Sequence, residues 1–330
     1  MINGRVGVEA GGRVRFRDSL QEGDRSEIRL RGAGAVDSYL NMPGSRLVLS
    51  HLLGEGRWFG RSWTGGDNGL RPAVEFKSEL WGLQREDLQL EHYNLGSIEG
   101  AAGVGALLDP RFGFALTAGL QRRWLFALQN LRDPAYTQIT DVPAVENRAF
   151  ARLLGQFTFN PGDLRRDQRS LIEFELAGFT PYKSGGSPFL RAALHGRKIW
   201  TFNWHELWLT GRATGLAGDV QFVDQEPVAD HLRLGFGGTV YVNGITSGRV
   251  EFRFSILRDL FKVSLFNDLG TFRQANPADQ SDRAVIGGSS GAGLHVLVVD
   301  HFQLDGYVGT GWTNTGYQRP GFLLNIKDAF

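Results

Sequence analysis

Cysteine is absent from the 330-residue chain, which excludes a disulfide framework and any thiolate metal site. Long apolar runs are absent too: none approaches the roughly 18–20 residues that a membrane-spanning helix needs. Neither charge sign dominates, with 36 Lys and Arg against 35 Asp and Glu, so there is no electrostatic argument for nucleic acid as a partner. The histidines His51, His92, His195, His205, His231, His295 and His301 are scattered, with no pair at metal-ligand spacing. Neither a Gly-x-Ser-x-Gly elbow nor a phosphate loop occurs. Ser289 or Ser290 near His295 could be cast as a nucleophile and base, but a structural role is the better reading. The expectation is a protein that is not an enzyme and takes no metal or other cofactor.

What is abundant is glycine, with 45 residues, and phenylalanine, with 23. Glycine on that scale argues against long helices and for tightly curved, turn-rich sheet. The hydrophobic pattern has period two. Val250, Phe252 and Phe254 share one face of a stretch whose other face is Glu251, Arg253 and Ser255. Ile172, Phe174 and Leu176 oppose Glu173 and Glu175 in the same way. Charge on one face of strand after strand would be ruinous in a soluble sandwich core, whereas the wet interior of a wide membrane barrel accepts it. Trp200, Phe202 and Trp204 alternate with Thr201 and Asn203, which suits an aromatic girdle at a strand rim. The chain also ends on an aromatic: Phe322, Leu324, Ile326 and Phe330 fall on one face of the closing strand, interrupted by Asp328.

A membrane strand needs only about 9–11 residues, and alternating segments of that order recur along the whole chain. They lie at 5–16, 27–36, 46–53, 72–81, 87–92, 98–108, 113–127, 148–160, 170–179, 189–195, 198–210, 249–256, 261–272, 284–298, 302–312 and 321–330. That is 16 strands, an even number as expected of a bacterial single-chain barrel. Short connections fall at Asn41-Met-Pro-Gly, Gln84-Arg-Glu, Asp109-Pro-Arg, Asn160-Pro-Gly-Asp, Leu257-Arg-Asp and Val299-Asp-His, and long ones around 54–71, 130–147 and 218–248. The expected fold is all-β: a single domain, 1–330, forming a 16-stranded antiparallel transmembrane β-barrel in a bacterial outer membrane. The opening Met1-Ile-Asn-Gly lacks the basic and apolar regions of a signal peptide, so a signal removed from this chain is expected.

The last ~130 residues resemble the outer-membrane protein assembly factor, or bacterial surface antigen, superfamily of 16-stranded barrels. The residues that carry the resemblance are Val250-Glu-Phe-Arg-Phe for its twelfth strand and Val263-Ser-Leu-Phe-Asn-Asp-Leu-Gly-Thr-Phe for its thirteenth, then Gly287-Gly-Ser-Ser-Gly-Ala-Gly-Leu and the closing Phe322-x-x-x-Ile326-x-x-x-Phe330. The most specific is the core Phe266-Asn-Asp268-Leu-Gly270. The resemblance implies a long sixth extracellular loop folded into the lumen, with a Val-Arg-Gly-Phe/Tyr tip whose arginine pairs with Asp268 and packs near the acid Glu251. Two stretches fit that tip. One is Leu232-Arg233-Leu-Gly-Phe236, with one residue inserted. In the other, Leu234-Gly-Phe-Gly-Gly238 is the glycine-rich lead and the tip is Val240-Tyr241-Val-Asn243-Gly244, without an arginine; on sequence we favour this second alignment. Family members that insert or secrete proteins carry periplasmic polypeptide-transport domains ahead of the barrel, and strand one here begins by residue 5. The expectation is that those domains were removed or are naturally lacking.

The function so implied is insertion or translocation of a polypeptide or lipid substrate through a seam between the first strand and the last. Outer-membrane lipid is the surrounding partner, no nucleic acid is involved, and self-association as a homo-oligomer is left open. The rival readings are a passive pore and the membrane anchor of a longer protein, such as an autotransported patatin-like phospholipase.

Overall fold

The computed structural model describes residues 3–17, 25–39, 46–63, 69–85, 90–107, 111–130, 145–159, 170–182, 186–236, 240–258, 260–275, 282–298, 302–316 and 318–328. Among them the chain is all-β. Ten long strands come first: β1 (Asn3–Arg17), β2 (Arg25–Tyr39), β3 (Arg46–Phe59), β4 (Leu70–Arg85), β5 (Leu90–Leu107), β6 (Phe112–Asn130), β7 (Val145–Thr158), β8 (Leu171–Pro181), β9 (Phe189–Phe202) and β10 (His205–Gly218). Two short strands follow, β11 (Glu226–Pro227) and β12 (Tyr241–Val242), and then β13 (Gly244–Leu257), β14 (Phe261–Ala275), β15 (Asp282–Val298), β16 (Phe302–Thr313) and β17 (Gln318–Asp328). The short pair bond to one another. The other fifteen form one sheet in which each strand lies antiparallel to its neighbours in sequence, with β13 following β10. The strand order returns to its start: β17 pairs with β1, but in parallel, over six residues from Asn3↔Gly321 to Val8↔Ile326.

The two faces are those of an inside-out protein. On β13, Val250, Phe252 and Phe254 are exposed while Glu251 and Arg253 are buried. On β14, Leu265 is 71% exposed and Asp268 is fully buried. A soluble fold places its apolar side chains the other way round. Buried apolar residues do occur on the inner face, in two clusters. One joins Val228, Leu232, Phe236 and Val242 to Ile245, Phe272 and Val285 of β13–β15. The other gathers Phe150, Phe179 and Phe189, with Leu216 and Val220 against them.

Two features differ from the sequence expectation. The segments expected at 87–92 and 98–108 are one strand, β5, so fifteen long strands stand among the described residues where sixteen are expected. The pairing of β5 with β6 shifts register between Leu90 and His92 and again between His92 and Asn94. Such bulges break the alternation from which a strand's extent is read. The boundary expected at 195–198 is also displaced. Gly196 and Arg197 lie inside β9, and the chain turns at Asn203 and Trp204, where Asn203 takes φ 56°. Asparagine tolerates that left-handed backbone better than most residues. Trp200, Phe202 and Trp204 are exposed at this hairpin, where a girdle would stand. Most of the expected turn residues, including Asn41–Gly44, Asn160–Asp163 and most of 130–147, lie outside the described residues.

Candidate functional site

Of the segment between β10 and β13, the described residues 219–236 and 240–243 are held against the inner face of the sheet. The segment leaves β10 at Gly218 (φ 108°), makes two 3-10 turns at Phe222–Asp224 and Val228–Asp230, and returns through β12. Its centre is Leu232-Arg233-Leu-Gly-Phe236. Leu232 and Phe236 are buried in the cluster on β13–β15, and Arg233 between them turns toward the acids of β13 and β14. Gly235, at φ 87°, lies against Gly311 of β16. A Cβ on Gly235 would come 2.7 Å from the Gly311 Cα, and one on Gly311 would come 2.2 Å from the Leu234 carbonyl oxygen. Backbone meets backbone here, which only glycine permits. Gly270 and Gly287 complete the seat: a Cβ on Gly270 would approach Leu232, and one on Gly287 both Leu232 and Phe236, at 3.3–3.4 Å.

Arg233 is the centre of the polar contacts. Its backbone N–H and its Nε donate to Asp268 Oδ2 at 3.0 and 3.2 Å, and Nη2 stands 3.1 Å from Oδ1. Nη1 donates to Glu251 Oε2 at 2.5 Å. The guanidinium lies over the Phe266 ring at 4.4 Å and the Tyr307 ring at 4.9 Å. A planar fork held by two carboxylates between two aromatic faces suits arginine and not lysine. Its pKa is raised: burial alone would lower it, and the charges of Glu251 and Asp268 outweigh that cost.

The acids are themselves held. Asp268 accepts from Ser289 Oγ at 3.0 Å, with Arg249 Nε at 3.8 Å. Glu251 accepts from Arg253 Nε at 2.9 Å and faces His295 Nε2 at 3.0 Å. On its other side His295 Nδ1 is 2.7 Å from Asp305.

Arg233, Glu251, Phe266, Asp268 and Gly270 are thus brought together at one place. Val240, Tyr241, Asn243 and Gly244 are not. Val240 packs beside the apolar cluster, Tyr241 pairs with Pro227 in β12–β11, Asn243 accepts from Gln225, and Gly244 opens β13. Of the two stretches weighed on sequence, it is Leu232–Phe236 that meets the acids of β13 and β14, while the residues of the stretch favoured on sequence lie beside it. Of the closing-strand residues, Phe322 and Leu324 are half-buried on β17, and Ile326 is placed by its backbone register opposite Val8. Phe330 lies outside the described residues.

The serines proposed for His295 turn elsewhere: Ser289 bonds Asp268 and Ser290 bonds Asn267. Ser264 Oγ is the one 2.9 Å from His295 Nε2. That nitrogen also faces Glu251, so the serine does not have it to itself as a nucleophile's base would require.

Sequence reasoning missed Tyr307, Arg249 and the His295–Asp305 pair. Inward alternation places Arg249 with Glu251, but nothing local says that β16 supplies a ring to an arginine from 219–243. It also missed the contacts of Asp224 with Arg123 of β6 and Arg148 of β7.

No family model matches the chain, and no curated protein does. Solved structures do. BamA from Haemophilus ducreyi lacking POTRA domains 1–3 aligns over 95% of this chain and 67% of its own, at a TM-score of 0.60 and 11% identity. CdiB from Acinetobacter baumannii aligns over 96% of this chain at 0.55 and 11% identity, and the chain spans 57% of it. Both neighbours are bacterial outer-membrane β-barrels. At that identity the likeness is one of fold.

Proposed function

We propose that this chain forms a transmembrane barrel of a bacterial outer membrane that inserts or translocates polypeptide. In this reading the wall opens at the β1–β17 seam, and residues 219–243, the fifth connection on their side of this fifteen-stranded wall, take the part of the family's sixth extracellular loop, folded into the lumen as a plug. The exposed apolar band and the buried charged interior support the membrane setting. The observation that carries the function is the seam.

Fifteen strands joined as antiparallel neighbours leave the first and last running the same way. A parallel pair is slightly weaker per residue, and this one covers six residues of a fifteen-residue β1. Among the described residues, Glu9–Arg17 of β1 have partners on β2 and no register partner on β17. Such an edge is a template for another strand. One strand entering there can lie antiparallel to both neighbours, which makes sixteen. The role so proposed is non-enzymatic.

The test uses the absence of native cysteine. Val8 and Ile326 are register partners, so Val8→Cys with Ile326→Cys should form a disulfide across the seam. Assisted folding of an outer-membrane barrel client into vesicles should stop in the oxidised variant and return on reduction. Undiminished activity with the seam covalently shut sinks the proposal. The Arg233 contacts to Glu251 and Asp268 favour this reading over a passive pore.

A further inference from the structure

The Arg233 contact is one place where the described part of 219–243 meets buried charge. A second cluster lies nine residues earlier, at Asp224. Asp224 accepts from Arg123 Nη1 at 2.8 Å and from Arg148 Nη1 and Nη2 at 2.9 and 2.8 Å. Glu146 of β7, fully buried, stands 2.5 Å from Arg123 Nε and 2.9 Å from Arg148 Nε. Gln221 accepts from both arginines. Two guanidiniums are thus matched by two carboxylates in a sealed pocket, where ion pairs are specific and costly to break singly. Phe222 adds an edge-on contact to Tyr93 of β5, with ring centroids 5.6 Å apart.

The two clusters share no residue. One is built on β6 and β7 and the other on β13 and β14, with β8, β9 and β10 between them in the strand order. The stretch from Asp224 to Arg233 therefore passes from one part of the wall to another. Along it, Arg191 of β9 stands 3.6 Å from Glu226, and Arg212 of β10 and Arg249 of β13 donate to the Asp230 carbonyl at 2.7 and 2.8 Å. The interactions at the two ends are independent in the sense that distant sites without shared partners usually are.

We propose that residues 219–243 have two separate anchors, and that the Asp224 anchor keeps the lumen obstructed after the Arg233 contact is released. The tip then lifts from Asp268 and Glu251 as a flap tethered at Asp224, and the segment does not leave the lumen as a whole. This rests on reading 219–243 as the plug.

Planar-bilayer conductance of the native protein, Arg233→Gln, Asp224→Asn and the double variant tests it. Both single variants should keep small, flickering currents, and the double should conduct several-fold more, steadily. Arg233→Gln alone conducting as much as the double overturns the second anchor and leaves the plug reading intact. A double variant that conducts like the native protein overturns the plug reading and this proposal with it. The labelling rate of a Val223→Cys thiol in folded protein gives a second readout. Asp224→Asn should raise it several-fold and Arg233→Gln should leave it unchanged, whereas an equal rise in both overturns the separation of the anchors.

Discussion

Asp268→Asn should loosen the tip of the 219–243 segment without unfolding the wall. Asp268 takes two hydrogen bonds from Arg233 on Oδ2, and Arg233 Nη2 lies 3.1 Å from its other oxygen. The two side chains are 9% and 0% exposed, so the solvent screening that reduces surface pairs to about 1 kcal/mol or less does not apply. Removing one charge of a buried pair costs about 3–5 kcal/mol. Asparagine keeps the shape and an acceptor for the Arg233 N–H and for Ser289, which places the loss at the lower end, about 3 kcal/mol.

Against that loss stand the contact to Glu251 and the burial of Leu232 and Phe236, worth about 1.5–3 kcal/mol each. The tip therefore stays docked in most molecules, but opens on the order of a hundredfold more often, at about 1.4 kcal/mol per factor of ten. Hydrogen exchange of the amides of residues 228–236 in detergent-folded protein reads this directly. They should exchange roughly a hundredfold faster while those of β13 and β14 hold their rates. Unchanged protection of 228–236, or equal acceleration in the wall, refutes the reasoning. Arg233→Lys should behave like Asp268→Asn, because a point charge cannot span both carboxylates while covering the Phe266 and Tyr307 rings.

Three further outcomes are expected. Gly235→Ala should unseat the tip through its φ of 87° and its contact with Gly311, giving faster proteolysis between 219 and 243 with the heat-modifiable mobility of a folded barrel retained. Asp224 has its pKa lowered from 3.8: burial works the other way and is outweighed by the Arg148 hydrogen bond and by the charges of Arg123 and Arg148. A depressed carboxylate contributes stability that is present above its unfolded value and lost as pH falls through the folded one, so the conductance of Arg233→Gln, which relies on the Asp224 anchor alone, should hold down to mildly acidic pH and rise only below 3.8. Leu265→Arg, on a side chain 71% exposed, would be harmless in water. At the lipid face it should cost about 2–4 kcal/mol near the midplane, seen as a lower urea midpoint for folding into vesicles.

Much of this was legible in the chain because a two-faced strand writes its environment at every second residue. Val250–Ser255 and Ile172–Leu176 give their faces directly, and the same alternation puts Glu251 and Asp268 inside. The reading failed where local geometry departs from the period. The register shifts at His92 divided β5 in two, and Asn203 took the turn that Gly196 seemed to offer. Leu232–Phe236 was passed over as the stretch that meets Glu251 and Asp268 because a glycine-rich stretch just beyond it fitted the expected pattern without an arginine. The Asp224 cluster was out of reach for a different reason. Arg123 and Arg148 lie 101 and 76 residues from their partner, and nothing near any of the three residues announces the others.

The parallel pairing of β1 with β17 also fixes sidedness. Asn3 stands beside Gly321, near the start of β17, and Asp328 lies at that strand's far end. A tag fused ahead of Asn3 and one fused after Asp328 would thus reach opposite compartments, and only one more crossing made by this chain itself would bring them to the same one. Whether an antibody finds both tags from one side of the membrane therefore reports the parity of the wall.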